Sequence, residues 1–92
     1  MADVRIYTTP SCPYCVMLKR LLRSKGVAFQ ELDVADDHEK RRWLRGVTGQ
    51  STVPQLFIDG APHGGYSDAA ALDRAGELDR LLGLAPSPPA GT

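Results

Sequence analysis

The sequence feature that most limits how this chain can fold is a cysteine pair, Cys12-Pro13-Tyr14-Cys15, between two kinds of secondary structure. The run before it, residues 4–8, favours a β-strand, and the residues after it have the apolar spacing of a helix. This places Cys12 at the helix N-cap and Pro13 at the first helical position, where a missing backbone N–H costs nothing. The backbone N–H groups of Tyr14 and Cys15 can then donate to the Cys12 sulfur, which favours its thiolate.

The helix macrodipole alone does not activate Cys12 strongly. It contributes about 0.3–1 kcal/mol near a helix N-terminus, whereas a tenfold change in the thiolate population requires about 1.4 kcal/mol. Strong activation therefore needs direct N–H···S hydrogen bonds, with a cation such as Lys19 as a possible helper.

The spacing of the two cysteines also permits a disulfide. Residues i and i+3 of a helix have Cβ atoms about 5–6 Å apart, whereas a disulfide needs about 3.5–4.5 Å. The first helical turn must tighten, so the bond stays reducible. A structural disulfide across so short a loop would stabilise the fold little, because closing a short loop removes little entropy from the unfolded chain.

A zinc site is the other alternative for the two cysteines. Zinc would need two more ligands, and His38 and His63 lack the spacing of a ligand pair. The motif therefore predicts a redox-active dithiol and no metal.

Composition predicts one domain at residues 1–84 and a proline-rich tail at 85–92, which we expect to be disordered. Eleven basic and eleven acidic side chains cancel, so no affinity for nucleic acid or an anionic membrane is expected. No apolar run approaches the roughly 18 residues of a membrane span. Met1-Ala2-Asp3 leads directly into the first strand, so no signal peptide is expected. Two cysteines in one motif favour the reducing cytoplasm.

The first half of the chain predicts a βαβ unit. A strand at 3–8, a helix at 13–24 and a strand at 28–34 follow one another closely, which predicts parallel strands and a right-handed crossover. Gly26 lies just past the helix as a C-cap. The side chains expected to form the buried stripe of this helix are Val16, Leu18, Leu21 and Leu22.

The second half predicts two more helices and a hairpin, followed by a last short helix. The helix at 37–47 is expected to place Trp43, Leu44 and Val47 in its buried stripe, with Trp43 only partly covered. Asp59-Gly60 is a strong signal for a two-residue hairpin turn. The other expected ranges are strands at 55–58 and 61–63, a helix capped by Ser67 or Asp68 and ending at Arg74, and a short helix at 77–82.

Three separated segments carry a resemblance to a known family. Cys12-Pro13-Tyr14-Cys15, Thr52-Val53-Pro54 and Gly64-Gly65-Tyr66-Ser67-Asp68 resemble, in order and spacing, a dithiol glutaredoxin of the small bacterial type. The resemblance covers about residues 3–83. It implies a thioredoxin-like α/β fold, with a four-stranded mixed sheet and helices on both faces. It also implies a cytoplasmic, monomeric electron-transport enzyme that uses glutathione to reduce glutathione mixed disulfides and protein disulfides.

The resemblance implies roles for particular residues. Cys12 and Cys15 are the catalytic pair, and the residue matching Val53 pairs its backbone with glutathione before a cis Pro54. The helix start receives the γ-glutamyl end of glutathione, with the Asp68 carboxylate near its ammonium. The implied glutathione-binding residues are Tyr14, Thr52, Val53, Pro54, Gly65, Ser67 and Asp68.

Two positions depart from the family pattern. Thr9 and Gln50 stand where many relatives carry basic residues that help hold the glycyl carboxylate of glutathione. Arg42 or Arg45 are alternative partners for that carboxylate.

Two other functions stay open on the sequence alone. One is a redoxin of similar shape that is reduced by thioredoxin reductase. The other is a carrier in which two chains bridge an iron–sulfur cluster through Cys12 and two glutathiones. Pro13 stiffens the motif, and in the family it tends to accompany redox activity.

Overall fold

A computed structural model describes residues 2–84, so the predicted tail at 85–92 lies outside the described residues. None of the helices in this part of the chain has the length and apolar character that crossing a membrane requires. Strands and helices follow one another in the order β1 (Val4–Thr8), α1 (Pro13–Ser24), β2 (Gln30–Asp33), α2 (His38–Thr48), β3 (Gln55–Ile58), β4 (Ala61–Pro62), α3 (Tyr66–Arg74) and α4 (Glu77–Leu81).

The four strands form one mixed sheet in the order β2-β1-β3-β4. The β1–β2 pair is parallel, as the βαβ unit predicts, and the β1–β3 and β3–β4 pairs are antiparallel. β2 is shorter than the predicted 28–34 because only Gln30–Asp33 pair with β1. Asp59 and Gly60 join β3 to β4 with φ angles of 52° and 82°, which confirms the predicted hairpin turn.

Both faces of the central strands are buried, which confirms the thioredoxin-like arrangement of helices on both sides. Successive side chains of a strand point to opposite faces. Ile6 and Leu56 lie in one core cluster with side chains of α1, α3 and α4. Tyr7 and Phe57 lie in the other, with Leu44 of α2. β1 and β3 are therefore fixed rigidly, and the loops at one end of both strands carry the candidate site.

The predicted stripe of α1 is partly wrong. Leu18 and Leu22 are fully buried, and Leu21 packs partly against the same core. Val16, however, is 44% exposed. At about 100° per residue, Val16 lies almost opposite Leu18 on the helix, so it points away from the sheet.

The predicted stripe of α2 is also partly wrong. Asp37 caps its start by accepting the Lys40 N–H at 2.9 Å, and Gly49 ends it with a φ of 73°. Leu44 is buried and Trp43 is partly covered, at 44% exposed, as predicted, whereas Val47 is 45% exposed and its predicted burial is wrong. The Trp43 ring stacks on Phe57 of β3, with ring centroids 5.6 Å apart, so Leu44 and Trp43 cover the sheet while Val47 stays accessible.

The start of α3 differs from the expectation that Ser67 or Asp68 is the N-cap. The N-cap is Gly65, and Asp68 is the third helical residue. The Asp68 carboxylate reaches back and accepts the Gly65 N–H at 3.0 Å. Asp68 therefore caps the helix from inside its first turn, as the acidic residue of a capping box does.

Candidate active site

Cys12 lies at the junction of the β1 loop and α1, in the predicted N-cap position. Its backbone is extended, and its sulfur accepts the Cys15 backbone N–H at 3.3 Å. As a thiol, it donates to the Val53 carbonyl oxygen at 3.5 Å. Cys12 is half-buried, so part of this residue stays accessible to solvent. The local sequence produces this geometry because Pro13 starts the helix directly after the cysteine.

Cys15 lies one turn further along α1 and is only 1% exposed. Burial raises the pKa of the Cys15 thiol to about 11, and its hydrogen bond to Cys12 acts in the same direction. The Thr9 backbone N–H and the Lys19 charge oppose these effects but do not outweigh them. At neutral pH, Cys15 is therefore a shielded thiol. Both cysteines are free in this structure.

Lys19 has a partner of its own. Its Nζ lies 3.1 Å from Glu31 Oε2, which also accepts the Thr8 hydroxyl at 2.8 Å. Burial by itself raises the pKa of the Glu31 carboxyl, but the Thr8 hydrogen bond and the Lys19 ion pair outweigh it and hold that pKa below its usual range. The Lys19 charge is therefore shared with Glu31, and hydrogen bonding remains the main stabilisation available to the Cys12 sulfur.

The loop opposite the cysteines contains the cis peptide bond between Val53 and Pro54. Gln55, which follows it, is fully buried. Its Nε2 donates to the Thr52 carbonyl oxygen at 2.9 Å and to Gln50 Oε1 at 3.0 Å. Because the Thr52 carbonyl can only accept, this end of the Gln55 amide is its NH2 group, and Gln50 must turn its oxygen towards it. Sequence reasoning missed Gln55, although a glutamine opening an apolar strand is a visible signal.

Replacing Gln55 tests how much this buried amide holds the loop. We expect Gln55→Leu to lower the free energy of unfolding by about 1–3 kcal/mol, since Thr52 and Gln50 lose a buried donor. Gln55→Glu should cost more, because a carboxylate would then face the Thr52 carbonyl oxygen. Urea unfolding of the three proteins measures both effects. Equal free energies of unfolding for Gln55→Leu and the parent chain would show that the Gln55 amide does not hold this loop.

A groove of about 330 Å³ runs between this loop and the start of α3. All seven residues that the family resemblance implies for glutathione binding line it. Tyr66 lines it as well, which sequence reasoning did not predict, and so does Gln50, one of the two positions that depart from the family pattern. Of the candidates for the glycyl carboxylate, Gln50 lines the groove, whereas Thr9, Arg42 and Arg45 are not among its lining residues.

Two glycines allow α3 to begin this close to the loop. Gly64 has a φ of 82°, and a Cβ there would collide with the Asp68 carboxylate. A Cβ on Gly65 would lie only 3.2 Å from the Pro54 carbonyl oxygen. The helix N-terminus therefore opens into the groove with free backbone N–H groups, which suits a bound carboxylate.

Alkylation should distinguish the two cysteines. Cys12 is accessible, whereas Cys15 is buried and its pKa is raised to about 11. We expect iodoacetamide at mildly acidic pH to label Cys12 first in peptide maps. Labelling of Cys15 in the folded protein should increase only as the pH approaches its raised pKa, because the thiolate is the nucleophile. The unfolded protein in urea, in which both thiols are open, is the control. Faster labelling of Cys15 in the folded state would overturn the assignment.

A dithiol at a helix start, beside a cis-proline loop on a mixed four-stranded sheet, defines a thiol–disulfide redox protein with a thioredoxin-like fold. The glutaredoxin family model matches residues 4–62. Over 82 residues, the chain is 51% identical to glutaredoxin 3 of Escherichia coli K12, covering 89% of this chain and 99% of that protein. It is 49% identical to a glutaredoxin of Pseudomonas aeruginosa, covering 89% and 98%. The chain belongs to the glutaredoxin family.

Solved structures agree with this assignment. A glutaredoxin from Brucella melitensis, 45% identical, superposes with a TM-score of 0.81 and covers 89% of each chain. A buckwheat glutaredoxin–glutathione complex, 26% identical, superposes with a TM-score of 0.84 over 91% of this chain and 83% of that one. The enzyme is therefore a glutathione-dependent thiol oxidoreductase, as its family is.

Proposed function

We propose that Cys12 and Cys15 carry out the thiol–disulfide exchange of this glutaredoxin, with Cys12 as the attacking sulfur. The observation that supports this most directly is the difference between the two thiols. Cys12 is accessible and accepts a backbone N–H at 3.3 Å, whereas Cys15 is buried and its pKa is raised to about 11. A sulfur that attacks a bulky substrate needs access, and of the two cysteines Cys12 is the accessible one, with a backbone N–H already directed at its sulfur.

With a glutathionylated protein, one cysteine is sufficient. The Cys12 thiolate attacks the glutathione sulfur, the disulfide breaks, and the protein thiolate leaves and takes up a proton. Glutathione is now bonded to Cys12. The thiolate of a second glutathione attacks the glutathione sulfur of this mixed disulfide, which forms oxidised glutathione and restores the Cys12 thiolate.

With a protein disulfide, both cysteines are needed. Cys12 attacks one substrate sulfur, and Cys15 then attacks the Cys12 sulfur, releasing the reduced substrate and forming a Cys12–Cys15 disulfide. Two glutathiones reduce that disulfide and become oxidised glutathione. The hydrogen bond and charge of Cys12 contribute to the raised pKa of the Cys15 thiol. A Cys12 sulfur in a mixed disulfide carries no charge and no thiol proton, so both of these contributions to the Cys15 pKa become smaller. Cys15 therefore ionises more readily when it has to attack the Cys12 sulfur.

We propose that glutathione binds in the groove beside Cys12, through the seven residues named above. The Val53 carbonyl oxygen lies 3.5 Å from the Cys12 sulfur, so the Val53 backbone can pair with glutathione in the way that one strand pairs with another. Gly65 and Ser67 place the N-terminal N–H groups of α3 at the groove, where they suit the γ-glutamyl carboxylate. Asp68 accepts one backbone N–H and is otherwise exposed, so it can also face the γ-glutamyl ammonium. The residues that complete the set are Tyr14, Thr52 and Pro54.

We also propose that the partners are glutathionylated or disulfide-containing proteins and that the enzyme acts as a cytoplasmic monomer. Two cysteines in one redox motif fit a reducing compartment. The exposed sheet edges disfavour self-association: β4 is two residues long and contains Pro62, and β2 carries the charged residues Glu31 and Asp33.

A coupled assay tests the function directly. The substrate is a glutathionylated peptide, glutathione is the only direct reductant, and glutathione reductase with NADPH reports oxidised glutathione. We expect turnover with the parent chain and none above background with Cys12→Ser. Turnover only when thioredoxin reductase replaces glutathione and its reductase would support the redoxin alternative instead. Visible absorbance of anaerobically purified protein would reveal an iron–sulfur cluster.

A further inference from the structure

A second, larger groove continues from the glutathione groove. It has a volume of about 560 Å³ and extends past the β4 edge of the sheet. Gln50 and Asp68 line both grooves, so the two are continuous between these side chains. Nothing in the thiol chemistry described above uses the second groove.

The walls of the second groove are largely apolar. Ala71 of α3 and Ala75, the C-cap of this helix, lie three and seven residues after Asp68, so all three share one face. Val47 of α2 lies on the groove and is 45% exposed, although a valine side chain usually packs inside. Pro62 forms part of the β4 edge. The chain has eleven lysines and arginines, yet none lines this groove.

The size of glutathione explains why a continuous groove matters. An extended chain rises about 3.3 Å per residue, so a tripeptide spans roughly 10 Å. A tripeptide whose cysteine pairs with Val53 therefore reaches only about one residue, roughly 3.3 Å, beyond that cysteine on either side. A protein whose disulfide cysteine takes the same place has residues on either side of that cysteine. Flanking residues that continue past Asp68 or Gln50 enter the second groove, because these two side chains line both grooves.

We propose that the second groove binds the polypeptide that flanks the disulfide cysteine of a protein substrate. This inference rests on the proposed glutathione groove, with which the surface is continuous. The partner chemistry is an extended segment with apolar side chains and no requirement for charge. Pro62 lacks a backbone N–H, so recognition depends on side-chain contacts more than on strand pairing at this edge.

Two disulfide peptides and one small substrate test the proposal. The short peptide has a reducible disulfide with blocked ends, and the long peptide has the same disulfide extended by six residues, including leucine and valine, on each side. The small substrate is the mixed disulfide of glutathione and 2-mercaptoethanol. Val47→Glu and Ala71→Glu place a charge in the second groove. Met17→Glu is the matched control, because Met17 is also an apolar helix residue, 40% exposed, and does not line that groove.

We expect the parent chain to have a lower KM for the long peptide than for the short one. Val47→Glu and Ala71→Glu should raise the KM for the long peptide about three- to tenfold, the size expected when one peripheral side-chain contact is lost. Their KM values for the short peptide and the small substrate should stay unchanged, as should all values for Met17→Glu.

Equal KM values for the two peptides, or groove variants that match the control, would overturn the inference while leaving the glutathione reaction intact. If the parent chain did not turn over the small substrate at all, the proposed function itself would be contradicted. A concentration-dependent dimer that Val47→Glu disrupts in sedimentation would show that a second copy of the chain covers this groove, and this too would overturn the proposal.

Discussion

Cys15→Ser should keep the reduction of glutathionylated peptides and lose the reduction of protein disulfides. The first reaction needs only the accessible sulfur of Cys12, because a second glutathione resolves the intermediate. The second reaction needs an attacking thiol already in contact with Cys12, and the buried Cys15 is one helical turn away. Without it, the enzyme should accumulate as a mixed disulfide with its substrate. Cys12→Ser should abolish both reactions.

The measurement is a pair of steady-state assays on the three proteins, one with a glutathionylated peptide and one with a disulfide peptide. Mass spectrometry of the Cys15→Ser protein should detect the trapped mixed disulfide, and added glutathione should release it slowly. The assignment would be wrong if Cys15→Ser were as inactive as Cys12→Ser towards the glutathionylated peptide. A serine hydroxyl is close in size to a thiol but more polar, and Cys15 is only 1% exposed, so the thermal midpoint of Cys15→Ser is the control for folding.

Asp68→Asn should weaken the use of glutathione by about tenfold, while Asp68→Ala should weaken both glutathione use and folding. The Asp68 carboxylate accepts the Gly65 N–H at 3.0 Å, and an asparagine oxygen can also accept that bond. Asparagine loses only the charge. A hydrogen bond to a charged group contributes about 1.5–3 kcal/mol, and we take the lower end because Asp68 is exposed. Alanine also loses the capping bond, which costs about 0.5–2 kcal/mol.

The KM for glutathionylated substrate and the thermal midpoint separate the two roles of Asp68. Asp68→Asn should raise the KM with little change in the midpoint, and the increase should shrink at high salt because screening already weakens the pair. Asp68→Ala should change both quantities. Unchanged kinetics in Asp68→Asn would leave capping as the only role of this carboxylate.

The sequence by itself determined the local geometry of the Cys12 sulfur. A strand, an N-cap cysteine and a proline at the first helical position specify where Cys12 lies, because the backbone groups concerned are within four residues of one another. The Asp59-Gly60 turn was predictable for the same reason, since both residues adopt the positive φ angles that the turn requires. The three family segments also implied the set of residues that the structure brings together around the groove.

Only the tertiary structure decided features that depend on residues distant in the chain. Cys15 is buried because α1 packs onto the sheet, and this burial is the main cause of its raised pKa. Lys19 forms an ion pair with Glu31 of β2. The local sequence around Lys19 does not indicate that Glu31 lies beside it. Periodicity predicted burial for Val47, but a helix face is covered only where another element lies over it, and at Val47 the neighbouring surface is an open groove. Helical spacing specifies which side chains share a face, whereas the packing of the whole chain decides which face meets solvent.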